Sequence, residues 1–133
     1  MTTTVESLLS VEVPPEWLLT SNQRLYWAQK AERTQWLRSV AHLAGLGARR
    51  RLQQWPIRER VQATVFVAWP DRRRRDVHNV MPTVKACIDG LVDAKILVDD
   101  SDEWLQGPDL RVLDQLCDKR RACQLDFVFG VTA

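Results

Sequence analysis

The densest chemistry in this chain of 133 residues lies in Pro70 to Asn79, which reads PDRRRRDVHN. Four consecutive guanidinium groups repel one another and gain nothing from each other in an isolated fold. Such a run is either a solvated loop or a face that meets a partner of dense negative charge. Arginine presents a planar fork of donors matched to phosphate oxygens, so Arg72, Arg73, Arg74 and Arg75 are candidates for holding a phosphate backbone. Asp76 follows directly, and the pair Asp99 and Asp100 comes later in the chain. If folding brings Asp76 and Asp100 together, they form a small set of hard oxygen ligands of the kind Mg2+ prefers. Magnesium beside arginines suits phosphodiester hydrolysis: the metal activates water and steadies the leaving oxygen, while arginines hold the phosphates. A merely solvated acidic loop accounts for the same residues, and residue types alone leave both readings open.

Other chemistries lack their residues. The chain has no GxGxxG, no glycine-rich GK[ST] loop and no G-x-S-x-G elbow. His42 and His78 are its two histidines, and their spacing to the cysteines does not suit zinc. His42 lies in a helical run and reads as a surface or rim residue. The six tryptophans are expected in the core or an interface, with Trp27 and Trp36, near the basic residues, able instead to stack on bases. Three cysteines without a CxxC pair read as reduced thiols of a cytoplasmic protein. No apolar run approaches the roughly 18 residues of a membrane span. The N-terminal MTTTVESLLSVEVPPE has no basic leader, so neither secretion nor a membrane partner is expected.

The net charge of +2 conceals a strong asymmetry. Residues 31–75 hold eleven arginines against three acids, whereas residues 76–133 hold eleven acids against six bases. The middle of the chain is thus a basic block made wholly of arginine.

The elements that must position these side chains can be read from periodicity. Ser7 to Val13 alternates and stops at Pro14-Pro15, a first strand. Leu19 to Asn22 supplies N-cap candidates for a helix running to about Ala44, whose face carries Leu37, Val40, Ala41 and Ala44. Gly45 and Gly47 are expected to end it, with Arg49-Arg50-Arg51 as a basic exit. Residues 60–69, RVQATVFVAW, predict a strand with both faces at least partly buried. Residues 79–94 predict a second helix with Val84, Cys87, Ile88 and Leu91 inward and Pro82 in its first turn. About four helical turns carry the chain some 20 Å. Asp76 and Asp100 therefore meet only if the connection after Leu91 to Ala94 folds back over the sheet. Leu110 to Leu113 and Ala122 to Gly130 complete a β-α-β-α-β-β order, a single α/β domain over residues 1–133.

Three of these segments, PDRRRRDVHN, KACIDGL (Lys85 to Leu91) and ILVDD (Ile96 to Asp100), resemble the RusA family of Holliday junction resolvases. That family's pattern is a basic run, D-x-D-N, a helix carrying K-A-x-x-D-x-L, and an Asp-Asp pair. The nine-residue step from Leu91 to Asp100 matches it, and VPPEWLLTSNQRLYWAQK resembles its opening. The likeness covers most of the chain and is dense over residues 70–100. It implies a mixed sheet packed by two helices, in a homodimeric, Mg2+-dependent endonuclease that cuts four-way DNA junctions in recombination and repair. By position, Asp76 and Asp100 would be metal-binding carboxylates with Asp99 as the other half of the pair, and Lys85 would meet the phosphate. Arg72 to Arg75 and Asn79 would contact DNA. Asp89, one turn after Lys85, reads as its helical ion partner and is not carried over.

Two departures stand out. His78 occupies the second carboxylate position of D-x-D-N, and imidazole suits Mn2+ better than Mg2+. Three extra residues, Pro82 among the segment they lengthen, separate Asn79 from Lys85. His78 is then expected as a weak ligand or general acid/base, with Asp71 or Asp102 as compensating carboxylate. The same fold could also bind branched DNA without cutting it, or cut other branched DNA or RNA.

Overall fold

The structure, a computed structural model, describes residues 2–4, 9–51 and 56–132. Strand β2 (Leu9–Val13) alternates strictly between buried and exposed positions, which is what half-burial of an antiparallel strand requires. Ser7, where the sequence reading began it, lies outside the described residues. A short strand not expected from the sequence, β1 (Thr2–Thr4), precedes it. Pro14 and Pro15 end β2 as expected, and the chain makes one 3-10 turn, Pro15–Trp17.

Helix α1 (Trp27–Ala48) begins and ends later than its sequence signals suggest. The cap candidates at Thr20 to Asn22 are used in a turn instead: the Thr20 N–H donates to Gln23 Oε1 (3.1 Å) and its hydroxyl to Asn22 Oδ1 (3.1 Å). Gln29 caps the helix by accepting from the Tyr26 N–H at 3.3 Å. At the other end, Gly45 does not stop the helix, because its role is close packing. A Cβ there would stand 2.8 Å from that of Ala94.

Strand β3 (Val61–Ala68) and helix α2 (Met81–Asp93) follow the expected positions closely. A 3-10 turn, Val77–Val80, leads into α2, and Pro82 sits in its first turn where no N–H is needed. Val84, Cys87, Ile88 and Leu91 are fully buried, as the periodicity requires. The two helices pack so closely that a Cβ on Gly90 would lie 2.2 Å from the carbonyl oxygen of Arg38. Strand β4 (Leu105–Val112) is longer than the expected Leu110 to Leu113. Gly107, at φ 97°, and Pro108 lie within it, and these two residue types mask a strand in any sequence pattern. Strand β5 (Cys123–Thr132) is the last.

The sheet is mixed and four strands wide. β5 carries β2 and β1 in succession on one edge and β3 on the other, all antiparallel, and β4 pairs parallel with β3. Helix α2 is the crossover between the parallel pair. The observed chain order is the expected β-α-β-α-β-β with β1 added. One sheet face, built from Val11, Val13, Val65, Val67, Leu125 and Phe127, is fully buried with the apolar sides of both helices. The other is more open: Gln62, Thr64 and Phe66 of β3 are half-buried, and Ser10 and Glu12 of β2 are exposed. Burial on this scale is the main stabilising term. No helix among the described residues is long and apolar enough to cross a membrane.

One buried polar side chain positions the loop over α2. The Thr83 hydroxyl donates to the Leu19 carbonyl (2.7 Å) and accepts from the Leu19 N–H (2.9 Å). The Ser21 N–H also donates to the Asn79 carbonyl (2.9 Å). These bonds pin residues 19–21 to the start of the helix that carries Lys85.

Candidate active site

Lys85 projects from the second turn of α2. The connection after the helix turns back toward α2, starting with Lys95 at φ 64° and the Ile96 N–H bonded to the Leu91 carbonyl (3.1 Å). It returns Asp100 to Lys85, Nζ to Oδ2 at 3.2 Å, fifteen residues apart in the chain. The ammonium group holds the Asp100 carboxyl below the usual carboxylate range. Asp89, one turn further along α2, has its carboxyl pushed up, first by partial burial and then by the charge of Asp100. Each of the two carboxyl groups shifts the other. A lysine and two interacting carboxylates therefore share one patch of the α2 surface. Asp99 is exposed beside it, whereas Asp100 is half-buried.

Asp76 plays a different local part. Its Oδ1 accepts from the His78 N–H (3.0 Å) and lies 3.4 Å from His78 Nδ1, capping the 3-10 turn before α2. Both side chains are well exposed. Among the described residues, no three His, Cys, Asp or Glu side chains are gathered as a metal-holding set. Of the two expected compensating carboxylates, that of Asp71 is engaged within the arginine loop. Asp71 pairs with Arg75 (2.8 Å) and accepts from the Arg73 N–H (3.0 Å), and Arg75 holds its carboxyl below the usual range. Asp102 is exposed near the start of β3, where its carbonyl accepts from Arg60 Nε (2.9 Å). Asp89 is the carboxylate that the fold brings to Asp100. Its sequence signals were its place as the Asp of K-A-x-x-D-x-L and its i, i+4 spacing from Lys85, and that spacing is equally the mark of an ordinary helical ion pair.

The four arginines divide by role. Arg75 lies 4.9 Å over the Trp69 ring and donates to the carbonyls of Asp71 (3.3 Å) and Arg73 (3.2 Å), so it organises the loop from within. Arg72, Arg73 and Arg74 are exposed, Arg72 reaching the Asp114 carbonyl at 3.5 Å. A cleft of about 600 Å3 opens at the carboxyl end of β3, the end at which α/β sheets present ligand sites. Arg73, Arg74, Asp76 and Asn79 line it, together with Arg121, which the sequence reading did not single out. Trp36 is stacked on Trp17, centroids 5.1 Å apart and 3° from parallel, while Trp27 is 84% exposed. Cys87, Cys117 and Cys123 are unpaired thiols.

No protein-family model and no curated protein sequence matches this chain. The donor chemistry can still be tested against a divalent cation. Mg2+ is ordinarily held by one or two carboxylates, completed by waters and substrate phosphates. Asp100 and Asp89 supply two such carboxylates, and a cation between them would offset the charge of Asp100, which adds to partial burial in raising the Asp89 carboxyl.

Proposed function

We propose that this chain is a Mg2+-dependent endodeoxyribonuclease that resolves four-way DNA junctions, as its resemblance to the RusA family implies. The observation that carries the reading is the Lys85–Asp100 contact at 3.2 Å. It joins two of the three segments that resemble the family, on the helix that follows the arginine loop. In this reading Arg72, Arg73 and Arg74 hold backbone phosphates and supply salt-sensitive, largely sequence-independent affinity. Asp100 and Asp89 hold the cation, which supplies an activated water and charge stabilisation at the leaving oxygen. Lys85 meets the charge that develops on the phosphate. The exposed His78 imidazole, oriented by Asp76, takes or gives a proton, and Mn2+ is the alternative metal that tolerates such a ligand. A homodimer with one site per subunit suits a two-fold symmetric junction in which two strands are nicked.

The test is incubation with a labelled mobile four-way junction, with and without Mg2+, at two salt concentrations. Wild type is expected to give paired, metal-dependent nicks. Asp100→Asn is expected to lose cutting and keep junction binding. Failure to cut any branched DNA with Mg2+ or Mn2+ leaves a second reading, a junction-binding protein without catalysis. That reading is favoured by Asp76 serving as the cap of the turn before α2, where it accepts from the His78 N–H. Parallel incubation with flaps, duplex and RNA separates a junction enzyme from a nuclease of broader choice.

A further inference from the structure

The cleft at the carboxyl end of β3 has a composition that phosphate binding alone does not require. Four segments wall it: the stretch carrying Pro15, Leu18, Thr20 and Asn22, the loop from Trp69 to Asp76, the turn carrying Asn79 and Val80, and Arg121-Ala122 just before β5. Apolar surface comes from Leu18, Trp69 and Val80, and polar groups from Thr20, Asn22 and the arginines. Arg121, whose side chain is 34% exposed and whose Nε stands 3.5 Å from Glu12 Oε2, reaches the cleft wall and adds positive charge beside Arg73 and Arg74. Pockets of a few hundred cubic ångströms with apolar walls and a few convergent polar groups are the size and type that take a single small ligand.

We propose that this cleft takes one unstacked nucleotide of the DNA strand. The phosphate would lie on Arg73, Arg74 and Arg121. The base would lie against Leu18, Trp69 and Val80, with Thr20 and Asn22 addressing its edge. The inference rests on the proposed nuclease function and deepens it, because it names what distinguishes a branched substrate. A base inside a continuous duplex is stacked and paired and cannot enter. Extruding one costs least where stacking is already broken, as at a branch point. The cleft then selects structure through the cost of unstacking.

The experiment uses the full chain with four-way junctions carrying 2-aminopurine at single positions around the branch, in Ca2+ to hold cutting back. Binding is expected to raise the fluorescence strongly at one branch-point position and to leave it unchanged in a matched duplex. Ala122→Phe, which fills the cleft without altering charge, is expected to abolish the rise and to slow Mg2+-dependent cutting by about tenfold or more, the worth of one lost base contact. Asn22→Ala, on an exposed turn, is expected to diminish the rise even if the bulkier variant fails to fold. A probe that stays quenched at every position on a saturated junction that wild type cuts overturns the subsite and leaves the nuclease reading standing. A protein that neither binds nor cuts junctions overturns both.

Discussion

At the scale of single residues, Asp89 and the arginine loop carry the sharpest consequences. Ionised Asp89 is disfavoured by partial burial and by Asp100, so its carboxyl is raised above its unfolded value. A raised carboxyl costs stability while it is ionised, and that cost vanishes as pH falls through the folded value. Asp89→Asn is therefore expected to melt slightly higher than wild type at pH 7, with the gap closing under acidic conditions. Mg2+ should raise the melting temperature of wild type and not of the variant, since a ligand stabilises only the form that binds it. A variant that melts lower at pH 7 and still responds to Mg2+ argues against Asp89 as a cation ligand. Within the loop, Arg74→Ala should leave thermal stability unchanged and lower the slope of junction affinity against salt by about one. Arg75→Ala should instead cost about 1 kcal/mol of stability, because that side chain sits over Trp69 and bonds the loop backbone. Urea melts and binding titrations on the same two proteins compare the roles directly.

At the scale of elements, the pairing of α1 with α2 depends on missing side chains. Gly90→Ala must force apart two helix backbones, since the new carbon would stand 2.2 Å from the Arg38 carbonyl oxygen. Overpacking against backbone is expected to cost about 3 kcal/mol or more. Gly47→Ala meets nothing within 4 Å in the same helix α1 and should stabilise by about 1 kcal/mol through helix propensity. Equal effects of the two substitutions in chemical denaturation would show that the helices are not in close contact. The Arg38–Asp93 pair, bidentate with one bond of 2.8 Å, crosses the same interface and aligns α2 with α1. Alignment matters for the site, because Lys85 and Asp89 project from the same helix.

For the molecule as a whole, the consequence is symmetry. If two copies each contribute one Lys85–Asp100–Asp89 site, a mixed dimer of wild type and Asp100→Asn should nick one strand of a junction and leave the opposite strand intact. Nicked rather than resolved junctions, measured on denaturing and native gels of the same reaction, are the expected product. Full resolution by mixed dimers, or activity from a protein that light scattering finds monomeric at working concentration, removes the two-site arrangement.

Periodicity along the chain was enough to locate α2, β3 and β5, because alternation and 3.6-residue spacing are properties of the backbone and reappear wherever one face is buried. Lys85 and Asp100 were singled out from motif order, whereas a back-folded connection was expected as the condition for Asp76 and Asp100 to meet, and the contact it makes is with Lys85. Local pattern was misleading where a residue type served packing rather than its usual punctuation. Gly45 reads as a helix stop and is a helix contact, and Gly107-Pro108 lies inside β4, a strand expected only from Leu110 on. The cap-forming residues at Thr20 to Asn22 bond within a turn that Thr83 and Asn79 tie to α2, and no local signal names those partners. The chain itself determined which side chains are available for phosphate and metal chemistry. Only the tertiary structure decided that Asp89 joins Asp100, that Arg75 turns inward, and that Arg121 reaches the cleft. Each of those outcomes depends on distances between segments far apart in sequence, which the crossover, the back-folded connection and the sheet register impose.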